Sequence, residues 1–169
     1  MDDASRIILD HYRERKFLTE MPEPRLYGEE VNRACGDEIT LSLRLAPGPN
    51  KTAANADAII EDISYTGQGC SICIASADIL CQELKNMKIE TASAIAKQFL
   101  RAIHNSTATA PLTDTGTAAA EQPPNVSETD FPGDIPALLS LRDYPIRRKC
   151  AVMAWLIFCE LIDRYSSGF

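Results

Sequence analysis

At 169 residues, 45% hydrophobic and 24% charged, the chain has the makeup of one soluble globular domain spanning residues 1–169. Seventeen Lys plus Arg against twenty-four Asp plus Glu leave a net charge of −7, which works against a phosphate-tracking surface and against adsorption to anionic membrane, so no nucleic-acid partner is expected. The first residues, MDDASRIILDHY, lack a basic stretch followed by an apolar one, and the longest apolar run, AVMAWLIFC (151 to 159), is about half of the ~20 residues that would cross a bilayer, so a cytoplasmic protein without a membrane span is expected.

The stretch DDASRIILDHYRERKF predicts one short helix, with Ile7, Ile8 and Tyr12 at helical spacing and Asp2, Asp3 or Ser5 available as cap. EITLSLRL (38 to 45) alternates strictly and predicts a half-buried strand, with Ile39, Leu41, Leu43 and Leu45 on one face. APGPNKTAAN reads as a turn or loop, and DAIIEDISYTG as a second strand, with Ile59, Ile63 and Tyr65 sharing a face that Glu61 interrupts. A third strand is expected earlier, at RLYGEEVN, which would complete an antiparallel meander.

After Gly67 and Gly69 the period changes to that of an amphipathic helix running to about Lys85. IETASAIAKQFLRAIH (89 to 104) predicts another, with Thr91 as candidate cap and Ile95, Phe99 and Ile103 along its stripe. Residues 105–134 are rich in Thr, Ala, Pro and small polar residues and predict a long flexible insertion. IPALLSLRDYP restores apolar packing, and a last helix is expected to start near Arg147 to Cys150, with Val152, Trp155, Leu156, Cys159 and Ile162 along one stripe.

Six cysteines in a cytosolic chain read as metal ligands, reactive thiols or small core residues rather than as a disulfide framework. Cys35 and Asp37 flank Gly36 just before the first clear strand, where a flexible glycine lets two ligand types curl onto one ion; taken alone, the tripeptide reads equally as a turn closed by Asp37. Cys70 stands at the strand-to-helix junction, where a helix N-terminus favours a thiolate and the glycines allow close approach, although a small residue chosen for tight packing would look the same. Cys150 follows Arg147, Arg148 and Lys149, three cations that should lower its pKa and that would equally suit docking of an acidic partner. Cys73 makes a CxxC with Cys70, but the βαβ context of a redox pair is missing, and Cys81 and Cys159 fall within apolar stripes. His11 and His104 read as surface or helix-end residues. Cys35, Asp37, Cys70 and Cys150 together supply three soft thiolates and one hard carboxylate, enough for tetrahedral zinc or one edge of an iron-sulfur cluster.

At these residues the chain resembles the IscU/SufU family of U-type iron-sulfur cluster assembly scaffolds, and within it the zinc-binding SufU-like branch. ILDHY, CGDEITL, IIEDISYTGQGCSICIASADIL and YPIRRKCAVMAW fall in the family's order and, apart from 105 to 134, cover most of the chain. The resemblance implies an α+β fold, a small antiparallel three-stranded sheet with helices packed on one face and a metal site at one end. It places the family's ligands on Cys35, Asp37, Cys70 and Cys150. IscU-like members have a histidine before the last cysteine; here Lys149 stands there, with Arg147 two residues earlier and an insertion upstream, as in the SufU-like branch.

That branch is implied to hold zinc and to take persulfide sulfur from a SufS-like cysteine desulfurase onto Cys35, while a histidine of the desulfurase fills the vacated coordination position. The leading expectation is thus a zinc-bound sulfur acceptor, a co-substrate and activator of the desulfurase rather than a stand-alone catalyst, with downstream Suf cluster-assembly proteins as further partners. The alternatives are a scaffold assembling a transient [2Fe-2S] cluster on the same ligands and a structural zinc domain without transfer chemistry.

Overall fold

Asp2 fixes where the chain first turns helical. In the computed structural model, which describes residues 2–48, 57–105 and 128–168, its carboxylate accepts the Ser5 N–H at 2.7 Å and caps α1 (Asp3–Glu14). Three strands follow, β1 (Leu26–Asn32), β2 (Asp37–Ala46) and β3 (Ile59–Gln68), paired antiparallel in the order β1-β2-β3. This is the expected meander, including the early third strand. Part of the expected turn APGPNKTAAN, at residues 49–55, lies outside the described residues.

The alternation of β2 carries through as expected, with Ile39, Leu41 and Leu43 fully buried. On β3 the inward set differs from the sequence reading. Arg44 faces Asp62 but Leu45 faces Ile60, so Glu61 is an extra residue, a β-bulge. The bulge resets the two-residue period, and Ile60 rather than Ile59 joins Ile63 and Tyr65 in the core.

Four helices complete the described fold: α2 (Ser71–Leu84), α3 (Ile89–His104), α4 (Ile135–Leu139) and α5 (Pro145–Ser166). The range of α3 matches the sequence reading, but Thr91 lies inside it; the cap position is Lys88, without a side-chain cap bond. α5 starts at Pro145, earlier than expected, because a proline at the first helical position loses no hydrogen bond. Its burial runs almost round the helix, and Leu156, placed on the buried stripe by sequence, is 46% exposed. Residues 106–127 of the expected insertion lie outside the described residues, and its far end is core: Phe131 is buried and meets Phe99 edge-to-face, ring centroids 6.4 Å apart.

The helices that carry Cys70 and Cys150 are fastened together below the sheet end. The buried Ser76 hydroxyl on α2 donates to the Ala151 carbonyl on α5 at 2.6 Å and accepts the Trp155 indole N–H at 3.0 Å. Both polar groups of the pair are thereby satisfied inside the core.

Candidate metal centre

The site grows out of the turn between β1 and β2. Asn32 pairs with Asp37 across the strands, and its carbonyl accepts the N–H groups of Cys35 at 3.2 Å and Gly36 at 2.9 Å. Gly36 takes φ of +73°, a left-handed conformation that glycine adopts without strain. The turn presents Cys35 to solvent, while Asp37, the first residue of β2, points inward and is fully buried.

Cys70 is the N-cap of α2. Its backbone N–H donates to Asp37 Oδ1 at 2.8 Å, and its sulfur accepts the Cys73 N–H at 3.4 Å. The preceding Gly69 explains the glycine before the cysteine: a Cβ there would stand 2.8 Å from Asp37 Oδ1 and 3.1 Å from its Cβ and Cγ. Cys150 arrives from α5, buried, its sulfur accepting the Asn32 Nδ2–H at 3.8 Å and its thiol donating to the Ile146 carbonyl at 3.7 Å.

The ligand atoms of Cys35, Asp37 and Cys150 all lie within 4.8 Å of one another. Cys70 is not part of that tight trio; its sulfur lies 3.9 Å from Asp37 Oδ2. Residues up to 115 positions apart in sequence (150 minus 35) thus converge at one end of the sheet.

Asp37 tests whether these residues fit a metal. Among the described residues no lysine, arginine or histidine pairs with this fully buried carboxylate, whose neighbours are thiols and one backbone N–H. A buried carboxylate without a counter-charge is costly, and a divalent cation supplies that charge. Three sulfurs and one carboxylate oxygen form a donor set suited to tetrahedral zinc.

The expected effect of the basic run on Cys150 is not found. Burial, then hydrogen bonding with Asp37 and the nearby Cys70 and Cys35, push its thiol upward in the absence of metal. Cys150 is the sixth residue of α5, beyond the first turn where the helix dipole acts. Arg147 and Lys149 are exposed, Arg147 lying over the Tyr144 ring at 5.1 Å, while Arg148 donates to the Arg142 carbonyl.

Cys73 faces the core, its sulfur 3.8 Å from Met153 Sδ, and burial aided by Asp37 and Cys70 pushes its thiol up to about 12. Cys81 is fully buried, as expected; Cys159 is half-buried. His104 is exposed at the end of α3, but His11 overturns the surface reading: it is buried, with Asp78 at one ring nitrogen and Asp134 at the other.

The chain matches the profile of the NifU-like N terminal domain over residues 3–151. It is 29% identical over 150 residues to the zinc-dependent sulfurtransferase SufU of Bacillus subtilis (strain 168), covering 89% of this chain and 82% of that protein. It is 23% identical over 162 residues to the iron-sulfur cluster assembly scaffold protein IscU of Thermotoga maritima, covering 96% and 94%. Among solved structures, a candidate iron-sulfur cluster assembly scaffold protein for the SUF system from Fervidobacterium islandicum AW-1 superposes with a TM-score of 0.69 at 19% identity, covering 92% of this chain and 93% of that one. The N-terminal NifU-like protein of Brucella abortus gives 0.68 at 14%, covering 97% and 94%. The α+β architecture of the two is the same.

Proposed function

The chain belongs to the family of NifU-like N-terminal domains, and on that premise we propose that it serves iron-sulfur cluster biogenesis as a zinc-bound sulfur acceptor for a SufS-like cysteine desulfurase. The observation that carries this reading is the pairing of a fully buried, uncompensated Asp37 with an exposed Cys35 in one ligand-sized cluster. Asp37, Cys70 and Cys150 would hold the zinc together with Cys35, and Cys35, exposed on its turn, would be the thiol that accepts sulfur. Zinc bound there keeps the thiols deprotonated at neutral pH while shielding them from oxidation. The SufU relative, itself named a zinc-dependent sulfurtransferase, supports the choice of metal.

In the transfer step the Cys35 thiolate attacks the terminal sulfur of the desulfurase's cysteine persulfide. A new S–S bond forms on Cys35, the old one breaks, and the desulfurase cysteine leaves as a thiolate. Sulfur moves without a change in overall oxidation level, so no external oxidant is required. Exposure of Cys35 on a four-residue turn gives a bulky partner access, and the exposed Arg147 and Lys149 offer cations beside the same site. Among the described residues no helix is long and apolar enough to cross a membrane. The place of action proposed is the cytoplasm, with the desulfurase and then downstream Suf proteins as partners.

The experiment is to incubate the zinc-loaded protein with a desulfurase and cysteine, then map added sulfur by peptide mass spectrometry. One extra sulfur on the Cys35 peptide, absent from Cys35→Ser, is expected; no sulfur on Cys35 overturns the reading. A second reading, assembly of a transient [2Fe-2S] cluster, rests on the same three thiolates. Zinc, iron and acid-labile sulfide measured on anaerobically purified protein beside Cys150→Ser separate the two: iron with matching sulfide favours the scaffold, zinc without sulfide the acceptor.

A further inference from the structure

Resting on that reading, the geometry points to Asn32 as a positioning residue that decides which thiolate stays on the metal and which one leaves. Asn32 is half-buried at the end of β1, and its carbonyl, Oδ1 and Nδ2 each bond the turn that carries Cys35 or the sulfur of Cys150. Its Oδ1 accepts the Ala34 N–H at 3.2 Å, and its carbonyl accepts the N–H groups of Cys35 and Gly36. Because only the oxygen can accept from Ala34, the orientation of the amide is fixed by the turn, and Nδ2 is left pointing at Cys150 Sγ, 3.8 Å away. One side chain therefore shapes the loop that carries Cys35 and bonds the sulfur of Cys150.

The three sulfurs are not equivalent in their N–H donors. Cys70 accepts one from the Cys73 backbone and Cys150 one from Asn32; among the described residues the Cys35 sulfur receives none. An N–H···S bond draws charge from a thiolate, stabilises it as a ligand and lowers its nucleophilicity, as partners behind a metal ligand generally do. Cys150 adds burial to this; Cys35 and Cys70 are both exposed, so between those two the Cys73 N–H donor to Cys70 is the difference. Cys70 and Cys150 are therefore anchors, and Cys35 is the reactive arm. Cys70 has its donor from the helix backbone, the Cys73 N–H, which is independent of the side chain there unless it is proline; the donor of Cys150 depends on the identity of one side chain.

Two substitutions separate the two tasks of Asn32. Asn32→Asp keeps the shape and the acceptor for Ala34 but turns an oxygen toward the Cys150 sulfur. Asn32→Ser keeps a hydroxyl acceptor for the turn but is too short to reach that sulfur. Wild type and both variants are loaded with zinc and treated with limiting iodoacetamide, and alkylated cysteines are ranked by peptide mapping. Cobalt(II) substitution reads the sulfur-to-metal charge-transfer band, and chelator competition reads affinity.

In wild type Cys35 is alkylated first and Cys150 is protected. In both variants Cys150 becomes labelled at a rate approaching that of Cys35, the charge-transfer band shifts, and metal affinity falls by about tenfold or more, the larger change in Asn32→Asp. If Asn32→Ser keeps the wild-type order of alkylation, the wild-type band and an affinity within about twofold, Asn32 only forms the turn and the inference is overturned. Wild-type protein that shows the ordered alkylation but accepts no sulfur removes the sulfurtransfer reading and leaves the role of Asn32 standing. Protein that takes up neither zinc nor cobalt overturns both.

Discussion

The buried imidazole of His11 places Nδ1 2.8 Å from Oδ2 of Asp78, a carboxylate with no exposed surface. Its Nε2 lies 3.0 Å from Asp134 Oδ2. A neutral imidazole has one donor and one acceptor, so two flanking carboxylates are both satisfied only by the imidazolium. Burial opposes that charge, but the bonds to Asp78 and Asp134 outweigh it, and the pKa of His11 is raised. Phe17 N–H and the Tyr65 hydroxyl also bond Asp78, Gln82 bonds Asp134, and Lys16 adds positive charge nearby. A raised folded-state pKa means that the stabilisation is complete below the unfolded value of about 6.5 and is lost as pH rises through the folded value. Urea unfolding of wild type followed upward from about pH 6.5, the unfolded histidine value, should show this decline. His11→Gln should be less stable by about 3 kcal/mol at pH 6 and should lack that component of the pH dependence. Parallel pH profiles for the two proteins would refute the assignment.

Asp37 has two separable roles, one oxygen toward the Cys70 N–H and one toward the sulfurs. Asn at this position keeps the first and removes the charge. Asp37→Asn should melt no lower than wild type without metal, and higher by the cost of the unpaired charge, yet retain zinc about tenfold less tightly, whereas Asp37→Ala should give back about 1 kcal/mol of that gain because the Cys70 N–H loses its acceptor. Chelator competition and thermal unfolding of the metal-free proteins distinguish these outcomes. Unchanged zinc retention in both would remove Asp37 from the ligand set.

Gly69→Ala tests the approach of the backbone to that carboxylate. The added methyl would press on Asp37, which is enclosed and cannot retreat into solvent. A stability loss of about 1–3 kcal/mol is expected, together with weakened zinc retention. A variant that binds zinc as wild type does would show that Asp37 can shift without consequence.

Ser76→Ala removes the hydroxyl between Trp155 and Ala151, leaving an indole N–H unpaired in the core. The expected loss is about 1–3 kcal/mol, read by urea unfolding. Trp155 is the single tryptophan, so its fluorescence reports the repacking directly. Wild-type stability would mean that the fastening of α2 to α5 does not depend on this hydroxyl.

The strands and most helices are legible in the sequence because their burial periods are local. The alternation of Ile39, Leu41 and Leu43 and the helix at 89–104 need no knowledge of the partner elements. No spacing rule joins Cys35, Asp37, Cys70 and Cys150, so only donor chemistry and family resemblance point to them in the sequence; the structure brings Cys35, Asp37 and Cys150 within 4.8 Å and leaves Cys70 outside that trio. What was hidden depends on tertiary neighbours. The inward turn of Ile60 requires the bulge at Glu61, which only pairing with β2 reveals. The burial of His11 requires Asp78 and Asp134, 67 and 123 residues away, so its own surroundings carry no signal. The early start of α5 did carry one, Pro145 after Tyr144, and Asn32 carried another, a turn-forming residue three positions before Cys35.

The contact between Phe99 and Phe131 has a topological consequence. The chain leaves α3 just after His104 and returns with Phe131 seated against Phe99, five residues back along the same helix, a distance of about 7.5 Å at the usual helical rise. Whatever path the intervening residues take, exit and re-entry share one doorstep. The walls on either side are held by α3 and by the seat of Phe131 against it, not by the length of chain between them. The helix bearing Cys150 therefore reaches the sheet end at a position that the length of the detour does not set.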